Sequence, residues 1–72
     1  MNKKIEFGLH TVDFDVRPAE RHQIGKNVDE LHGNPGEVVF GIIRKNGAFV
    51  LAGLAPLKLE AGDEIVYSRA ID

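Results

Sequence analysis

The sequence predicts an α+β domain: a small, mostly antiparallel sheet of about four strands, one short helix, and a dimer. Three observations lead there. Residues 10–16 alternate apolar and polar, Ile24, Val28 and Leu31 fall at helical spacing, and Asn46-Gly47 separates two apolar runs.

In the alternating run, Val12, Phe14 and Val16 point one way and Thr11, Asp13 and Asp15 the other, as in a half-buried strand. Upstream, Ile5 and Phe7 carry the opposite parity, which places a bulge or bend at Gly8. Arg17-Pro18 ends the strand, because proline lacks the donor that a central ladder requires. Ile24, Val28 and Leu31 then share one face of a helix, closed by Gly33 and the turn residues Asn34-Pro35-Gly36. Lys26 near its start and Asp29 and Glu30 near its end oppose the helix dipole, so tertiary packing must hold it.

Residues 37–44 form the next strand, and a two-residue Asn46-Gly47 turn pairs Arg44 with Phe49, Ile43 with Val50 and Ile42 with Leu51. One face of that hairpin then carries Val39, Ile43 and Val50. The other carries Val38, Phe40, Ile42, Phe49 and Leu51. Both faces are apolar, and one short helix covers only one of them. A second copy is expected on the other, with Val38, Phe40, Ile42 and Leu51 at the seam. After Gly62-Asp63, residues 64–68 make the last strand.

Composition points the same way. The chain is a single domain of 72 residues with no cysteine, 9 basic and 11 acidic side chains and a net charge of −2. A chain this short buries only about 60% of its unfolded surface, and association is a usual remedy. Without cysteine there is no disulfide framework and no thiolate metal site. No apolar run approaches the ~20 residues of a membrane span, and no signal core follows the N-terminal lysines, so a cytoplasmic protein is expected. A mildly acidic chain lacks the field that gathers nucleic acid.

Catalytic chemistry is poorly served, and no enzyme is expected. The one serine, Ser68, and the one threonine, Thr11, sit in no nucleophile motif. His10, His22 and His32 match no zinc-ligand spacing and read as solvated polar residues. Asp13 and Asp15 are weak candidates for a divalent cation, although outward charges also solubilise a sheet. Arg44, Lys45 and Phe49 make a better constellation: a guanidinium beside an aromatic ring suits an anionic or purine ligand. The plainer reading has Arg44 fencing an edge or pairing with Glu37 or Glu64.

Val16-Arg17-Pro18, the segment 24–31 (IGKNVDEL), the segment 39–44 (VFGIIR) and the segment 61–66 (AGDEIV) resemble, in order, the TrkA C-terminal domain. That domain is the C-terminal lobe of the RCK unit regulating potassium conductance, and the resemblance runs over about residues 13–68. It implies a strand, a short helix, a strand ending in arginine, a hairpin and a final strand after "aGD". It further implies a homodimeric, ligand-sensing regulatory domain of a cation channel or transporter, with no cofactor required. Cyclic di-AMP, a nucleotide or a divalent cation would be the effector. A membrane transporter or a dinucleotide-binding N-terminal lobe would be the partner, and Arg44 would lie near ligand phosphates. The chain departs from the pattern after the hairpin, where Gly53-Leu54 stands in place of proline, and at the last strand, which ends Tyr67-Ser68-Arg69. The rivals are a swapped-hairpin, antitoxin-like DNA-binding dimer and a purely structural dimerisation module.

Overall fold

A computed structural model describes residues 2–71. Five strands form one sheet: β1 (Asn2–Phe7), β2 (His10–Pro18), β3 (Val38–Ile43), β4 (Phe49–Leu51) and β5 (Glu64–Ala70). Their spatial order is β1-β2-β5-β3-β4, and every neighbouring pair is antiparallel.

The expected α+β class is corrected here. Among the described residues there is no α-helix, only the 3₁₀ turns Arg21–Gln23 and Val28–Glu30. The reason lies in the backbone bonds. Gly25 takes φ 90°, and Ile24, Asn27 and Leu31 are extended, so no helical run exceeds three residues. Donors that would have bonded along a helix bond sideways instead. The amides of Gly25 and Val28 donate to the carbonyls of Leu59 and Leu57, and that of Leu59 donates to Lys26. A short isolated helix is marginal, and a neighbouring extended segment satisfies the same groups. Val28 and Leu31 are buried as the spacing implies, but Ile24 is exposed.

The strand count also rises. Gly8-Leu9 is a tight two-residue turn with Gly8 at φ 62°, and it joins β1 to β2 with Phe7 opposite His10. A positive φ at the first loop position is what glycine supplies in such hairpins. Asn46-Gly47 also turns the chain, in a different register. Gly47 carries the positive φ, whereas Asn46 does not, and the Arg44 amide donates to Ala48. The loop therefore holds three residues, and Ile43 faces Phe49 while Ile42 faces Val50.

A second shift compounds the first. The register between β3 and β5 slips between Val39 and Gly41, leaving Phe40 as an extra, bulged residue. Val39 and Ile42 consequently share a face, and Ile43 moves to the other. Ile42 is 0% exposed at the centre of the core, with Ile65 and Tyr67 of β5. The connections before β3 and before β5 lay Val28, Leu31 and Leu59 over that face, with Leu57 and Ala52 packed beside them. Burial of large aliphatic side chains at about 1.5–3 kcal/mol each makes this loop-covered layer the main source of stability.

Candidate functional site

The opposite face has no such cover. Alternation through the registers puts Ile5 and Phe7 of β1, Val12, Phe14 and Val16 of β2, Val66 of β5, Val38, Phe40 and Ile43 of β3, and Phe49 and Leu51 of β4 on it. Ile5, Phe7, Val38, Phe40, Phe49 and Leu51 are exposed. Rings bind the middle together: Phe14 meets Phe40 edge-on at 5.1 Å, and Phe40 lies 5.8 Å from Phe49. Gly41 makes room for this cluster, since a Cβ there would sit 2.4 Å from the Phe49 ring. Contiguous exposed apolar surface of this kind is a candidate interaction surface. Of the four residues expected at a seam, Val38, Phe40 and Leu51 lie on this face, whereas Ile42 is in the core and has no surface to offer a partner.

The expected ligand constellation is not assembled. Phe49 lies on the open face, and Arg44 turns to the other side. There its Nη1 donates to Asp63 Oδ2 at 2.6 Å and to the Lys58 carbonyl at 3.1 Å, with Glu60 3.7 Å away. Asp63 is 2% exposed, and its Oδ2 also accepts the Glu60 amide at 2.8 Å. Arg44 is thus a clasp between the end of β3 and the turn before β5. Its partner is the aspartate of the "aGD" turn, neither of the glutamates named above. Lys45 lies in the hairpin loop, its alkyl chain over Gly62. Arg44, Lys45, Glu60 and Asp63 border a cleft of about 310 Å³, where acidic and basic groups are balanced.

The guanidinium that does stack on a ring is Arg17, 3.9 Å from the centroid of Tyr67. It ion-pairs with Glu37 and, at 3.2 Å, with Asp15. Glu37, whose side chain is 10% exposed, also accepts the Asn34 amide at 2.7 Å. Gly33 passes so close that an added Cβ would lie 2.6 Å from Glu37 Oε1. The Arg17 hydrogen bond holds the Glu37 carboxyl below its ordinary 4.5, against the opposing effect of burial, and raises the Arg17 guanidinium further. A depressed carboxylate contributes stability above its unfolded value and loses it as pH falls through the folded one. The domain is therefore expected to lose stability as pH drops below about 4.5, and Glu37→Gln to flatten that dependence. Urea titrations of both proteins at several acid pH values check it. The sequence offered a faint signal for this cluster: Arg17 ends an alternating strand, and Glu37 opens the next one after a turn.

Asp13 and Asp15 lie on the side of the sheet away from the aromatic cluster, with Asp15 engaged by Arg17. Among the described residues, no group of three or more His, Asp or Glu could hold a metal. None of their helices is long and apolar enough to cross a membrane.

Fold and site together define a small antiparallel β-sheet protein with a loop-covered core on one face and open aromatic surface on the other. No protein-family model, curated protein or solved structure matches the chain.

Proposed function

We propose that this chain is a non-catalytic regulatory domain of a potassium or other cation channel or transporter, working as a homodimer that responds to a small effector. The observation that carries the proposal is the uncovered apolar face centred on Phe40, which suits pairing of two copies. The transport setting rests on the ordered motifs that resemble the TrkA C-terminal domain. The helix of that pattern is replaced by 3₁₀ turns, while the arginine closing β3 and the aspartate opening β5 meet each other directly. An effector would act by preferring one arrangement of the pair, shifting the attached transporter by its difference in affinity for the two.

Arg44 is committed to Asp63 and Phe49 lies in the face assigned to the dimer, so Lys45 is the member of the expected constellation that remains open to a ligand. Light scattering at micromolar concentration is expected to give a dimer. Calorimetric titration with cyclic di-AMP, adenine nucleotides and calcium is expected to find one binder, weakened in Lys45→Ala. A folded monomer would overturn the dimer, and silence in every titration would leave a purely structural dimerisation module.

A further inference from the structure

The first strand lies outside the region that resembles a regulatory domain, and the reading above gives it no task. Its position on the sheet supplies one. β1 pairs with β2 so that Lys3 sits beside Phe14, Ile5 beside Val12 and Phe7 beside His10, and Ile5 and Phe7 therefore extend the apolar face past Val12. They are 37% and 54% exposed, although a strand at the edge of a sheet need not carry apolar residues toward solvent. Edge strands in natural proteins usually carry charge or proline to discourage association, and this one carries Lys3, Lys4 and Glu6 yet still presents Ile5 and Phe7 to solvent.

Area decides what the strand contributes. Val38, Phe40, Phe49 and Leu51 are 65%, 40%, 49% and 39% exposed. At about 150–250 Å² for an aromatic side chain and somewhat less for an aliphatic one, they present roughly 400 Å², no more than a crystal-packing contact buries on each partner. Ile5 and Phe7 bring the patch to roughly 600 Å², approaching the ~800 Å² per partner of a stable interface. The face is also almost free of charge, with Lys3 and Glu64 at separate positions, so a second copy meets no like-charge barrier at its centre.

We infer that β1 is a working part of the dimer interface, its Ile5 and Phe7 seating against the apolar face of the second copy. This rests on the homodimer reading above. Sedimentation equilibrium of wild type, Phe7→Asp and Phe40→Asp tests both and separates them. Phe7→Asp is expected to raise the dimer dissociation constant at least about tenfold while circular dichroism stays that of the sheet.

Because the chain has no cysteine, Phe7→Cys gives a single thiol whose labelling rate can be followed without a charge in the strand. Labelling is expected to slow as protein concentration rises through the dissociation constant. If wild type and Phe7→Asp dimerise alike, Phe40→Asp dissociates and Cys labelling ignores concentration, the role of β1 is overturned and the dimer stands. If wild type stays monomeric to about 100 μM, the dimer and the role of β1 fall together.

Discussion

Arg44→Ala is expected to remove a large share of the stability of this fold. The guanidinium is the charged partner of Asp63, a carboxylate 2% exposed, and removing it leaves that charge buried with only the Glu60 amide. Breaking a buried pair from one side typically costs about 3–5 kcal/mol. At about 0.05–0.15 kcal/mol per residue, a domain this size has only some 4–11 kcal/mol in total. Urea denaturation followed by circular dichroism reads the loss directly. Arg44→Ala combined with Asp63→Asn is expected to be more stable than Arg44→Ala alone, because the stranded charge is gone and an acceptor for the Glu60 amide remains. A single variant as stable as wild type would show the clasp to be dispensable.

Phe40→Asp is expected to dissociate the proposed dimer, raising its dissociation constant by about two orders of magnitude, which corresponds to about 2.8 kcal/mol. Phe40 stands at the centre of the exposed face, between Phe14 and Phe49, where truncation of an aromatic anchor has its largest effect. As the bulged residue of β3 and 40% exposed, it contributes little to the loop-covered core, so the monomer is expected to keep its sheet. Sedimentation equilibrium against Val38→Asp, a change at the rim, checks the claim. Equal effects of the two would mean that the interface is centred elsewhere.

The sequence made the β2 and β3 strands and the turn at Asn46-Gly47 legible, because period-two alternation and turn chemistry are local properties. Whether Gly47 alone or both turn residues took positive φ was undecided locally, and that choice moved the hairpin register by one residue. The bulge at Phe40 was equally silent, being defined only by how β3 meets a strand from the far end of the chain. Together they exchanged the faces of Ile42 and Ile43. The existence of two apolar faces survives such slips, since it depends on composition, but the identity of a core residue does not. Ile24, Val28 and Leu31 misled for a related reason. Helical spacing reports which residues turn inward, and a loop pinned by Leu57 and Leu59 can turn Val28 and Leu31 inward without a helix. Arg44 and Asp63 were each visible in their motifs, and only the fold could show that they hold each other.

The strand order has a consequence for how the chain is made. β5, the last of the five strands in sequence, lies at the middle of the sheet between β2 and β3. A nascent chain that has emerged only as far as Gly62 holds two separate hairpins, β1–β2 and β3–β4, and isolated hairpins are at best marginally stable in water. Neither the core layer on Ile65 and Tyr67 nor the Arg44 clasp can close before the final strand arrives. Folding thereby waits for β5 to emerge, and the aromatic face gathers from its two halves only at that moment.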